Sequence, residues 1–218
     1  MRIHIELKTT KDLLPFNHQE LLVSALHRWL GDNDFHDKLS LYSFSRLMGG
    51  KAKNGGLFFP DGAKWFISFY DKEKFDRLTS GIITHPEIGQ GLRVESFWEQ
   101  PVPDLSVQSH FLPASPIFIK RNIDGKQKHF LYSDDETSEL LTETLMHKMR
   151  LAGIENEEVN IYFDKNYYRA NTKLVNYKGI KNRANMCAVY IEGSAKAKDF
   201  AWHVGLGNST GIGFGAIM

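Results

Sequence analysis

A single cysteine, Cys187, occurs among the 218 residues. One thiol cannot form an internal disulfide, a CxxC redox pair or a multi-thiolate zinc site, so a reducing compartment is expected. Long apolar runs are also missing. A membrane helix needs about 20 consecutive apolar residues, and no such stretch exists. Met1-Arg2-Ile3-His4 reads as the start of a strand rather than a signal peptide, and the expectation is a soluble, cytoplasmic protein that does not engage a membrane. Excess charge of one sign is absent, with 27 basic against 26 acidic residues. Whole-molecule electrostatics therefore point neither to nucleic acid nor to a lipid surface. The nine histidines (4, 18, 27, 36, 85, 110, 129, 147 and 203) include no HxH, HxxxH or HExxH pair, so no metal site and no cofactor are expected.

What is present is globular composition: 42% hydrophobic, 24% charged and 12% aromatic residues, enough for one large domain or two small ones. Residues 2–8 alternate Ile3, Ile5 and Leu7 with polar neighbours, the period of a half-buried strand. A helix is predicted over 18–30, with Asn17 as N-cap, Glu20 three residues on, a stripe of Leu22, Leu26 and Leu30, and Gly31 as the stop. Strands over 41–48 and 65–70, a helix over 72–80 closed by Gly81, and a strand over 92–98 give βαββαβ. Pro101-Val102-Pro103 interrupts any ladder and marks a boundary. Beyond it come a hairpin of 117–121 and 128–132 around Asp124-Gly125, and a helix over 136–152 carrying Leu141, Leu145, Met149 and Ala152. Strands at 159–163, 172–177 and 185–192, a helix at 196–203 and a last strand at 213–217 repeat βαββαβ. The expected fold is α+β: two tandem ferredoxin-like domains, 1–100 and 101–218, each a four-stranded antiparallel sheet with two helices on one face, ending in a glycine-rich loop.

Local charge carries more information than the total. Between Lys165 and Ile191 lie Lys165, Arg169, Lys173, Lys178, Lys181 and Arg183 with no acidic residue, interleaved with Tyr167, Tyr168 and Tyr177. This is either a solvated face or a track for an anionic polymer. The end of the chain, Gly205-Leu206-Gly207-Asn208-Ser209-Thr210-Gly211-Ile212-Gly213-Phe214-Gly215, packs five glycines into eleven residues with GxGxxxGxGxG spacing. It follows a helix instead of opening one, which disfavours dinucleotide binding, and no GK[ST] phosphate loop exists. Such a backbone can reach φ > 0 and turn N–H groups toward an anion. A tight helix-to-strand crossing alone would account for only two or three of these glycines.

Phe16-Asn17-His18-Gln19 opening the first helix, His36-Asp37-Lys38 followed by Tyr42-Ser43, Ser115-Pro116-Ile117 opening the second half, and the terminal GLGNSTGIGFG together carry a resemblance over nearly the whole chain. The sequence resembles the CRISPR-associated endoribonucleases that cut repeat RNA to release guide RNAs, within the wider repeat-associated RNA-binding superfamily. The resemblance implies two ferredoxin-like domains and metal-independent RNA cleavage leaving a 2′,3′-cyclic phosphate and a 5′-OH. It implies His36, just after the first helix, as the catalytic histidine. His27 stands where the family often has a tyrosine, and Lys38 stands before the next strand, with Lys51 and Lys53 as substitutes. For RNA binding it implies the loop residues Gly205, Gly207, Asn208, Ser209, Gly211, Gly213 and Gly215. The basic residues Arg169, Lys173, Lys178, Lys181 and Arg183, with Lys120 and Arg121, are expected to add backbone contacts. CRISPR repeat RNA is the expected partner; other CRISPR effector subunits and a second copy of the chain are further candidates. A non-catalytic RNA-binding protein and a small-molecule phosphate-binding protein or transferase stand as alternatives.

Overall fold

The computed structural model describes residues 1–10, 13–31 and 40–218. The N-terminal half runs β1 (Arg2–Thr9), β2 (Leu14–Pro15), α1 (Gln19–Leu30), β3 (Tyr42–Phe44), β4 (Lys51–Lys53), β5 (Gly56–Phe58), β6 (Ala63–Phe69), α2 (Lys72–Thr84), β7 (Glu87–Gly89) and β8 (Leu92–Gln100). Its main sheet has the order β3-β6-β1-β8-β7 and is antiparallel throughout. With the edge strand β7 set aside, that is the 2-3-1-4 order of a ferredoxin-like unit. Alternation in β1 puts Ile3, Ile5 and Leu7 under the helices, where Leu22, Leu26 and Trp29 of α1 and Phe75, Leu78 and Ile82 of α2 complete a core.

The C-terminal half runs β9 (His110–Phe111), β10 (Lys120–Ile123), β11 (Lys126–His129), α3 (Thr137–Leu151), β12 (Val159–Phe163), β13 (Asn171–Tyr177), β14 (Ile180–Met186), β15 (Val189–Gly193), α4 (Ala195–Val204) and a 3-10 turn at Thr210–Ile212. Its sheet is β12-β15-β9, and the last residues occupy the fourth place. Leu112 N–H donates to Met218 O and Met218 N–H returns the bond, each 2.9 Å, while Ala114 N–H donates to Ala216 O at 2.8 Å. The duplicated architecture is present, with two hairpins, β10-β11 and β13-β14, inserted into the second copy.

Several local expectations are corrected. His18, not Asn17, caps α1, and its side chain makes no capping bond. Helix α2 passes through Gly81 to Thr84, because Gly81 is the point where α2 crosses α1: a Cβ there would lie 2.1 Å from Trp29 O. Tyr42–Phe44 of the 41–48 run forms continuous ladder; the chain then reaches toward the other half, Arg46 N–H donating to Ala114 O at 3.2 Å, and pairs again with β6 only at Met48, opposite Lys64. The 117–121 and 128–132 strands move toward the Asp124-Gly125 turn, to β10 (Lys120–Ile123) and β11 (Lys126–His129). The single strand expected over 185–192 breaks at Cys187-Ala188 into β14 and β15, and the expected strand 213–217 makes only isolated pairing, at Ile217 with Pro113. Among the described residues, the first of these sheets gains a fifth strand, β7, and the second has three strands with the last residues paired in its fourth place only by isolated bonds.

The halves are joined by the outer face of the first sheet. Arg2 is 1% exposed and crosses between them: Nε donates to Ser68 Oγ at 2.7 Å, and one terminal nitrogen donates to Trp202 O and Ile217 O, both at 2.8 Å. Its guanidinium lies 3.4 Å from the Trp202 ring centroid and 4.1 Å from that of Phe66. Burial pushes its pKa down, and these carbonyls and ring faces hold the charge in place.

Candidate functional site

The glycine-rich segment is mostly buried, and each of its glycines meets a neighbour that leaves no room for a side chain. An added Cβ would lie 2.7 Å from Gly215 O at Gly205, 2.4 Å from Phe118 O at Gly207, 2.1 Å from Ser40 Oγ at Gly211, 2.7 Å from the Phe44 ring at Gly213 and 1.9 Å from Leu206 O at Gly215. All but Gly211 have positive φ. Close packing therefore accounts for all five, against the expectation from sequence that it would account for two or three. Many of the segment's amides are also engaged internally: those of Leu206, Asn208, Ile212, Gly213 and Gly215 all donate to backbone carbonyls. Asn208 and Ser209 are the half-exposed residues among those assigned to RNA binding there. Asn208 Oδ1 accepts from Lys120 N–H at 2.8 Å.

This packing clamps the segment against the N-terminal half. Tyr42 OH donates to Gly211 O at 3.1 Å, Gln19 Nε2 donates to Ile212 O, and Ser43 Oγ donates to His203 O at 3.0 Å. From the C-terminal side the buried Lys148 ammonium donates to Val204 O, Gly205 O and Thr210 Oγ1 at 3.2–3.4 Å. Burial lowers its pKa to about 7. Lys148 lies two helical turns beyond Leu141, on the stripe that also carries Leu145. That spacing was the available signal for its inward position.

Beside the clamped segment an open cleft of about 510 Å³ is lined by Glu20, Ser24 and His27 of α1, Tyr42, Gly211, and Tyr177 and Lys178 at the tip of the β13-β14 hairpin. Helix periodicity puts Leu26 and Leu30 in the core and leaves His27 on this flank. The hairpin tip is fixed by a turn with positive φ at Lys178 and Gly179, and by Lys178 N–H donating to Glu20 Oε1 at 2.7 Å. Burial pushes the Tyr42 phenol up to about 12 and raises Tyr177, to which Glu20 adds. These phenols stay protonated at neutral pH. His36 and Lys38 lie outside the described residues; Lys51 and Lys53 are exposed on β4.

The basic residues divide into separate groups. No acidic residue occurs in 171–186. In the hairpin register Arg183 pairs with Leu174 and Lys181 with Asn176, and Arg183 also donates to Thr172 Oγ1 at 3.2 Å. Lys178 reaches the His27 cleft, while Arg169, stacked 5.0 Å from the Tyr168 ring, lies just before β13. Lys173 is exposed on β13, yet its pKa is lowered by partial desolvation of the ammonium and by Arg46. Lys120 and Arg121 belong elsewhere, on β10 next to Asn208. Arg121 is held by Glu143 at 3.2 Å, Leu140 O and Thr144, so it is the least available of the assigned cations. The structure thus brings together His27, Gly211 and Lys178, and separately Lys120, Arg121 and Asn208. Tyr42 and His18, named in the sequence as motif members, Tyr177, named in the basic track, and Arg46, which no pattern singled out, lie at or beside the clefts.

A search of curated sequences gives no match. Residues 100–218 match the family described as CRISPR associated protein Cas6, C-terminal. Among solved structures, one titled "CRISPR associated protein Cas6" is 21% identical with a TM-score of 0.84, covering 100% of this chain and 98% of its own. "An RAMP protein binding different RNA substrates" is 20% identical, with a TM-score of 0.85 and coverage of 100% and 98%. A Cas6-related protein from Pyrococcus furiosus is 21% identical, with a TM-score of 0.83 and coverage of 100% and 97%.

Proposed function

Because the chain belongs to the CRISPR-associated Cas6 family, we propose that it is an endoribonuclease that cleaves CRISPR repeat RNA, with residues 1–100 and 101–218 as its two domains. The observation that carries the reading is the His27 cleft, where a helix of the first half, the buried C-terminal glycine segment and the tip of an acid-free basic hairpin meet. A phosphodiester lying there would face an imidazole and the Lys178 ammonium at once.

Cleavage without a metal needs a base for the 2′-OH, an acid for the leaving 5′-oxygen and positive charge for the phosphorane-like transition state. Attack of the 2′-oxygen on phosphorus expels the 5′-oxygen and leaves a 2′,3′-cyclic phosphate and a 5′-OH. Histidine, with an ordinary pKa near ~6.5, can serve either proton-transfer role near neutral pH. His36 is assigned the principal transfer and His27 the supporting one. Lys38, with Lys51 and Lys53 as substitutes, and Lys178 supply the charge. The two tyrosines at the cleft are hydrogen-bonding neighbours, not bases.

Incubating labelled repeat RNA with the protein in EDTA tests the reading. Cleavage is expected to persist, His36→Ala to lose roughly 10²–10⁴-fold in single-turnover rate with little change in RNA affinity, and His27→Ala to lose less. Binding without cleavage by the wild type would favour a non-catalytic RNA-binding protein. Cleavage restored only by a divalent ion would overturn the mechanism.

A further inference from the structure

A second, smaller pocket lies at the other end of the hairpin's contact with α1. It is bounded by Phe16, His18 and Gln19 at the start of α1, Arg46 after β3, and Leu174 and Asn176 of β13, and encloses about 200 Å³. That is below the ~300–1,000 Å³ typical of a drug-sized ligand site and suits one planar ring system.

Its polar groups are unfinished. The half-buried Arg46 side chain has no acceptor among the described residues, although burial lowers its pKa. Lys173 is near enough for Arg46 to depress it further, and it too has no ion-pair partner among the described residues. Among the described residues, no aspartate or glutamate lines the pocket. A half-buried guanidinium that feels a second cation, with no counter-charge among the described residues, is unfavourable until an anion joins it.

His18 is 4% exposed, and its Nδ1 faces Pro15 O at 3.2 Å. That bond puts the proton on Nδ1 and makes Nε2 the acceptor of the ring. Burial first, and Arg46 in addition, keep the ring neutral. At the rim, Phe16 is 50% and Leu174 55% exposed, an aromatic face and an aliphatic one contributed by different elements.

We propose that this pocket binds a single unpaired nucleotide of the RNA strand, its base between Phe16 and Leu174 and its phosphate on Arg46. The His18 Nε2 accepts a hydrogen bond from a base N–H, and Lys173 adds charge beside the phosphate. Stacking of a splayed base on an aromatic ring, with a cation on the adjoining phosphate, is the general means of reading unpaired RNA. This inference rests on the RNA-processing reading above, but it concerns a position the His27 cleft does not include.

The test uses a 2′-O-methylated repeat RNA, which lacks the attacking hydroxyl and cannot be cut, with one abasic nucleotide moved along it. Dissociation constants are measured for the wild type, Phe16→Ala and Arg46→Met. One abasic position is expected to weaken wild-type binding roughly 5- to 100-fold and to cost Phe16→Ala almost nothing. Arg46→Met is expected to weaken every RNA in the series. Phe16 is half exposed, so its truncation keeps the fold. If both variants bind the parent RNA as tightly as the wild type, or if no abasic position distinguishes Phe16→Ala from it, the pocket assignment falls while the RNA-processing reading stands. If the wild type binds none of these RNAs, both fall together.

Discussion

His203 shows how one side chain in the interface between halves sets a pH limit. It is 3% exposed, its Nδ1 donates to Asp199 O at 2.8 Å, and its Nε2 is buried without a partner among the described residues. Burial lowers its pKa to about 3. An unfolded imidazole takes a proton near ~6.5. Between those values the unfolded chain binds a proton that the folded chain refuses, so stability is lost as pH falls from about 6.5 toward 3, by at most about 1.4 kcal/mol per pH unit from this group. Denaturation midpoints of the wild type and His203→Phe, measured from pH 8 to pH 4, are expected to run parallel above pH 7 and to converge or cross below 6, because phenylalanine removes this slope. A difference that stays constant over the range would contradict a buried neutral ring.

At the scale of elements, one prediction has a sign that sequence rules alone would not give, and a second tests the charge pattern of the hairpin. Helix propensity makes Gly→Ala inside a helix stabilising by about 1 kcal/mol. Gly81 lies inside α2, yet the new methyl would meet the Trp29 backbone of α1 at 2.1 Å. The clash prevails, since it is with backbone that cannot rotate away. Gly81→Ala is therefore expected to destabilise by roughly 1–3 kcal/mol in denaturant titration, the usual range for overpacking; a stabilised variant would show that the two helices separate easily.

The β13-β14 hairpin carries Lys178, Lys181 and Arg183 with no compensating acid in 171–186. If it tracks an RNA backbone, neutralising these three should weaken binding and flatten its salt dependence, the log–log slope shrinking by roughly 0.7–0.9 for each phosphate no longer neutralised. An unchanged slope would place the track elsewhere. Arg121, already held by Glu143, serves as the internal control: its replacement should alter the slope least.

For the whole molecule, Arg2 is the connection that matters. It is the second residue of the chain and bonds to Trp202 O and Ile217 O, near the opposite end of the sequence. Arg2→Met would leave two buried carbonyls and Ser68 without their donor. The expected loss is at least about 3 kcal/mol, since three bonds to one charged group are lost together, each contributing roughly 1.5–3 kcal/mol and not additively within one network. Urea unfolding followed by tryptophan fluorescence checks it. A variant unfolding at the wild-type midpoint would mean that Arg2 adds nothing to the other bonds between the halves, such as those from Tyr42 and Ser43.

The duplicated βαββαβ order was legible because alternation in β1 and the apolar stripes of α1 and α3 are local patterns set by periods of two and 3.6 residues. His27 was legible as a flank residue for the same reason: Leu26 and Leu30 on either side of it already faced inward. Non-local contact decided the rest. The need for glycine at 205, 207, 211, 213 and 215 comes from Phe118, Ser40, Phe44 and the segment's own carbonyls, which no spacing rule brings together. The same holds for the division of the cations: Lys178 reaches α1 and Arg121 reaches α3 only once the hairpins have been placed. By itself the sequence determined the order of strands and helices and which side chains are of a type able to transfer protons. Only the tertiary structure decided which of those residues share a cleft, because a site is made by the packing of elements distant in the chain, and local periodicity carries no information about that distance.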